Sequence, residues 1–273
     1  MAVTVARIAG HFGEFLQGRL GAEGPVVLVT LPCPALAVTA RRATGPHLHL
    51  HGGGQRLLSP AHARAFLKRL GLPVRGRVNL RADMPVGGGA GASTAALVAL
   101  ARASGFAGDP GRLAQATVAS EGASDPLMFD APARLLWASR EGRVLVRLPA
   151  PPAFDVIGGF AGAPQRTRAD DCRFPDIADL IPRWAEAAAI GDRAALARLS
   201  SASADRSLTL RGGVIPPFGA LVRATGALGH AIAHTGSARA LLFAPGTIPP
   251  DAVGLLREAG LRRIVRFRTG EVR

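Results

Sequence analysis

"DMPVGGGAGASTAALVAL", residues 83–100, is the stretch on which the fold turns. Gly87, Gly88, Gly89 and Gly91 are more glycines than a turn requires, and they stand between two segments of different period. Upstream, "RGRVNLRADM" (75–84) repeats Val78, Leu80 and Ala82 at every second position, the pattern of a half-buried strand. Downstream, residues 93–104 have helical composition. A strand, a glycine loop and a helix place bare backbone N–H groups and the positive end of a helix dipole around one point, which suits a phosphate. Pro85 leads into this loop, and Ser93 and Thr94 follow it, where a hydroxyl can cap the helix or ligate a phosphate-bound Mg²⁺. The plain alternative is a flexible strand-to-helix turn with Ser93 as its N-cap. No Gly-Lys-Ser/Thr occurs in the chain, so this is not a Walker A loop, and it fits the dinucleotide fingerprint poorly.

The chain has 273 residues, 48% of them apolar, enough for one large domain or two lobes around a buried core. The net charge of +14 raises nucleic acid as a partner, but the arginines are scattered and no basic run carries interleaved aromatics. The opening residues lack a basic region followed by a long apolar core, and no window reaches membrane-span length. These features predict a soluble, cytoplasmic protein with no nucleic-acid and no membrane partner. Cys33 and Cys172 lack metal-type spacing and read as reduced thiols.

Strands are expected at 3–10, 25–32, 35–42, 47–51, 75–84 and 143–149, and helices at 59–70, 93–104, 110–120 and 126–137. The proline-rich "PAPPAF" (149–154) marks a lobe boundary, giving an N-terminal lobe of 1–150 and a C-terminal lobe of 151–273. Beyond it, strands are expected at 154–160, 230–236, 238–244 and 262–268, with helices near 175–190, 193–204, 216–227 and 250–259. This mixed order predicts an α+β protein rather than a regular βαβ sheet. His47, His49 and His51 alternate and would share one strand face, where ordinary surface is the first reading and a metal site the second.

Four stretches together resemble the GHMP kinases. "PVGGGAGASTAA" is similar to their phosphate loop PxxxGLGSSAA. "GHFGEFLQG" (10–18) resembles the GELxQG motif of the L-threonine kinase branch, which serves cobalamin biosynthesis. "AHTGSARALLF" (233–243) is similar to that branch's AHSG segment, and "GASDPLMFD" (122–130) to its EPTDxLMF. The resemblance implies the two-lobed GHMP kinase fold, ATP and Mg²⁺ as cofactors, and a small hydroxyl-bearing amino acid as substrate. It implies phosphate contacts at Pro85, Gly87, Gly88, Gly89, Gly91, Ser93 and Thr94, with Ser93 also on the metal. Asp125 takes the place of the acid beside the acceptor hydroxyl, where it can accept the proton. Glu14, Gln17, His234, Thr235 and Gly236 fall near the acceptor substrate.

The chain also departs from these motifs. Gly122 and Ala123 replace the glutamate and proline of EPTD, Ala92 the first serine of the SSA pair, and Phe12 and Phe15 the residues flanking Gly-Glu. The second Mg²⁺ ligand is thereby left open, with Glu121 read first as surface and second as its replacement. Another acceptor such as homoserine, and a non-catalytic nucleotide binder, remain the rival functions.

Overall fold

The computed structural model describes residues 3–163, 171–211, 218–234 and 237–270. Two long antiparallel strands, β1 (Val3–Arg19) and β2 (Val26–Ala43), form its spine. The expected strands at 25–32 and 35–42 join into β2 because an irregularity absorbs Pro34: the register passes from Ala9↔Ala37 to Gly10↔Cys33. β2 also pairs with β4 (Gly76–Ala82), which holds the short edge strand β3 (Leu48–His51) parallel to itself. In β4 Val78, Leu80 and Ala82 are buried while Arg77, Asn79 and Arg81 are exposed, so this part of the sheet is covered on one face only.

Helix α1 (Pro60–Arg69) starts where expected, with the Ser59 hydroxyl accepting from the His62 N–H. Helix α2 (Ala92–Ala103) is buried on nearly all sides, and its run of alanines lets β1 and β2 approach closely. Helix α3 (Pro110–Glu121) ends at Gly122, whose φ of 79° provides a left-handed cap.

The helix expected over 126–137 is absent. Pro126 and Pro132 lie too close together for one helix to hold both, since the second would sit inside it without an N–H to donate. Turns and a 3₁₀ segment (Pro132–Arg134) lead instead into β5 (Leu135–Ala138). This strand pairs with β2 and with β6 (Arg143–Arg147).

After residue 154 the chain builds the rest of the sheet: β7 (Asp155–Phe160), β8 (Gly229–Ile232), β9 (Ala238–Phe243) and β10 (Arg262–Arg268), in the order β10-β7-β9-β8. Alternation buries both faces here. Val156, Ala240 and Leu242 join the main core, whereas Ile157, Leu241 and Phe243 form a second one with α6 (Phe218–Thr225) and α7 (Ala252–Glu258). Helices α4 (Leu180–Ala189) and α5 (Arg193–Arg211) pack together, and α5 lies against β1 and β8. Among the described residues, strand pairing between the two groups rests on Glu14 with Ile232. Among the described residues, no helix is long and apolar enough to cross a membrane.

Candidate active site

The glycine loop does what its sequence suggests locally. It leaves β4, turns through positive φ at Gly87, Gly89 and Gly91, and delivers the chain into α2 with Gly91 as N-cap. No side chain caps this helix among the described residues, so the N-terminal N–H groups of α2 are left to whatever occupies the adjoining cavity. That cavity, about 300 Å³, is lined by Gly87, Gly89, Gly91, Ser93 and Thr94 along the loop side. Pro85 and Gly88 brace the loop from behind: Gly88 donates its N–H to Pro85 O, and its carbonyl accepts from Ala238 N.

Ser93 is not the helix cap. Its hydroxyl lies one residue inside α2 and donates to Glu121 Oε2 at 2.6 Å. Glu121 is therefore not plain surface; it sits at the end of α3, faces the same cavity, and has His62 Nε2 at 3.6 Å on its other oxygen. Two oxygen donors from separate helices beside an uncapped helix N-terminus are the donor set that a hard cation such as Mg²⁺ accepts. Thr94 is used differently. Its hydroxyl accepts the Asp125 N–H at 3.2 Å and so ties the 122–130 segment to the start of α2. The same segment is fixed from outside by Trp137, whose indole N–H donates to Ser124 O at 2.7 Å.

Asp125 faces the cavity together with Glu14 and a residue that the sequence did not single out, His11. In a regular strand residues three apart point to opposite faces, so His11 and Glu14 should not meet. A bulge brings them together. Between the pairs His11↔Pro32 and Glu14↔Thr30, β1 spends one residue more than β2, with Gly13 at φ +80°. His11 Nδ1 then donates to Gly13 O at 3.1 Å and lies 3.2 Å from Glu14 Oε1, while His11 Nε2 lies 3.4 Å from Asp125 Oδ2.

Charge follows from this geometry. Burial disfavours the His11 imidazolium, but Glu14 and then Asp125 outweigh burial and raise its pKa to about 9. Burial pushes Glu14 up to about 8 against the opposing pull of His11. For Asp125, burial acts upward, yet the His11 charge and the hydrogen bonds from His11 and Thr94 hold it below its ordinary value. Glu14 Oε2 is buried without a hydrogen-bond partner.

A second polar cluster borders the cavity at His234. Its ring stacks on Phe174 with centroids 3.8 Å apart and shares Asp171 Oδ2 with Arg211, at 3.2 Å and 2.6 Å respectively. Burial, with Arg211 beside it, lowers His234 to about 4. Burial would raise Asp171, and the Arg211 bond reverses that and takes it down to about 2. Arg140 reaches the same place, lying over Phe174 and donating to the Asp171 carbonyl. Thr235 and Gly236 lie outside the described residues.

Gln17 does not line the cavity. Its backbone N–H donates to Ser203 Oγ at 2.9 Å and its side chain to Ile232 O at 3.3 Å, so it joins β1 to α5 and β8. His47, His49 and His51 are exposed, and the cluster with metal-ligand proximity among the described residues is instead His11, Glu14 and Asp125.

No protein-family model matches the sequence, and no curated protein matches it. Solved structures do match over nearly the full length. Mevalonate kinase from methicillin-resistant Staphylococcus aureus superposes with a TM-score of 0.63 at 14% identity, covering 98% of this chain and 99% of that one. A phosphotransferase related to the CoA biosynthesis pathway gives 0.66 at 17%, covering 97% and 95%. Homoserine kinase from Cytophaga hutchinsonii gives 0.59 at 17%, covering 97% and 93%. This protein is thus built on the two-lobed α+β fold of the GHMP kinases.

Proposed function

We propose that the protein is an ATP-dependent kinase that phosphorylates the hydroxyl of a small amino acid, L-threonine first, in the service of cobalamin biosynthesis. The observation that carries this reading is the convergence on one cavity of three things: the uncapped start of α2, the Ser93–Glu121 oxygen pair, and the Asp125 carboxylate. The loop amides and the α2 N-terminus would hold the ATP phosphates. Ser93 and Glu121 would hold Mg²⁺, which when bound neutralises charge on the transferred phosphoryl group.

Asp125 would orient the acceptor hydroxyl and take its proton as the acceptor oxygen bonds to the γ-phosphorus and ADP departs. A carboxylate of lowered pKa suffices, because the hydroxyl becomes strongly acidic as the new P–O bond forms. Glu14 supports an amino-acid acceptor. Its partnerless buried oxygen is a site for an ammonium group, whose arrival would drive off the Glu14 proton. The likeness of four motifs to the L-threonine kinase branch favours threonine over homoserine.

The test is a screen of purified protein with Mg-ATP against hydroxyl-bearing amino acids and amino alcohols, reading ADP release. L-threonine should be turned over, and Asp125→Asn should lower kcat by roughly 10²- to 10⁴-fold with little change in ATP affinity. ATP binding without turnover of any acceptor would instead make the protein a nucleotide binder.

A further inference from the structure

His11 touches the phosphate loop, Glu14 and Asp125. Its main-chain N–H donates to Ala90 O in the phosphate loop at 3.2 Å. Its ring lies beneath Gly91: a methyl group there would stand 2.6 Å from His11 Cδ2 and 3.0 Å from Nε2. On one side Nδ1 meets Gly13 O and Glu14, and on the other Nε2 meets Asp125. Within ion-pair distance of Asp125, His11 is the only cationic group among the described residues.

We propose that His11 is a positioning residue for phosphoryl transfer: its clamped ring engages Asp125 Oδ2 and thereby fixes the carboxylate with its other oxygen turned to the acceptor hydroxyl. The proposal rests on Asp125 being the carboxylate beside the acceptor. The geometry supplies the chemistry. Nδ1 faces the Gly13 carbonyl and Nε2 the ionised Asp125 carboxylate, oxygens that only accept, so both nitrogens must carry hydrogens, and the ring that satisfies this is the imidazolium. A neutral ring would turn a lone pair toward Gly13 O or toward Asp125.

The raised His11 pKa agrees with this arrangement. The titratable groups facing the ring are Glu14 from β1 and Asp125 from the segment after α3; the phosphate loop meets His11 through the backbone of Ala90 and Gly91. The three ionisable groups titrate together, so one change shifts the others. Because Ala90 and Gly91 bear on His11, the position of Asp125 is also tied to that of the phosphate loop.

Two measurements test this. In long-range ¹H–¹⁵N spectra of full-length histidine-labelled protein, with His11 assigned by its loss in His11→Gln, both ring nitrogens should be protonated at pH 7. The ring should titrate near 9, and Asp125→Asn should lower that midpoint by about one unit or more. In kinetics, His11→Gln should lower kcat by about 10- to 100-fold, leave the ATP dissociation constant within about twofold, and move the acid limb of the kcat–pH profile upward as Asp125 loses its cation.

A neutral ring at pH 7, a midpoint indifferent to Asp125→Asn, an added divalent ion bound to the ring, or a rate loss uniform across pH would each overturn the proposal. If Asp125→Asn shifts the His11 midpoint yet leaves turnover intact, the link between the two residues stands and the catalytic reading of Asp125 falls.

Discussion

Replacing Gly91 by alanine tests the packing at the centre of the site. Two penalties add. At φ +74° a β-carbon meets the left-handed penalty of about 1–2 kcal/mol. In addition, that methyl would stand 2.6 Å from His11 Cδ2 and 2.8 Å from Leu127 Cδ1, well inside normal contact. His11 has little room to retreat, since it is held at both ring nitrogens, so overpacking of about 1–3 kcal/mol follows.

Gly91→Ala should therefore destabilise the protein by about 2–5 kcal/mol. Gly71 is the control: its φ is +70° and nothing lies within 4 Å of an added β-carbon, so Gly71→Ala should incur the backbone penalty alone, about 1–2 kcal/mol. Urea unfolding of the two variants, compared at equal m-value, reads the difference. Equal losses would show that the loop yields freely at Gly91 and would refute the close contact with His11.

Two further outcomes concern the cation site and acid stability. Glu121→Gln removes charge but not shape from the Ser93 partner and should raise the Mg²⁺ concentration needed for half-maximal activity by roughly tenfold, with Ser93→Ala producing a smaller shift; an unchanged Mg²⁺ titration in both would remove them as ligands. For His234, the folded pKa of about 4 lies below the unfolded value of 6.5, so between these pH values the unfolded chain binds the extra proton and stability falls as pH drops. The stability gap between wild type and His234→Gln should narrow steadily from pH 6.5 to 4. A gap independent of pH would show that His234 is not held neutral by burial.

Much of the scaffold was legible because its signals are local. The alternation in β4, the Ser59 cap and the glycine excess before α2 each declare themselves within a few residues. The failure over 126–137 has a local cue as well, the two prolines, but the strand at Leu135–Ala138 depends on pairing with Val27 and Leu28, a partner more than a hundred positions away. The site followed the same division. Ser93, Thr94 and Asp125 could be named from motifs, whereas the use of Thr94 to hold Asp125, and of Glu121 to meet Ser93, arises only when α2 and α3 pack side by side. His11 was hidden by a one-residue bulge, and the cue for it was Gly13 standing between His11 and Glu14.

The bridge between Glu14 and Ile232 also bears on how the chain reaches its native state. β1 is followed directly by β2 and can pair with it as soon as both are made, yet the other side of Glu14 stays uncovered until β8 has been made. The bond from Gln17 to Ile232 O closes a sequence separation of 215 residues. Contacts of such range form late, after the entropy of closing the intervening chain has been met. During synthesis the buried carboxylate is therefore wet and ordinary, and its perturbed titration emerges as one of the last events of folding. A chain cut short before Ile232 would retain the glycine loop and α2 but lack the strand that encloses Glu14.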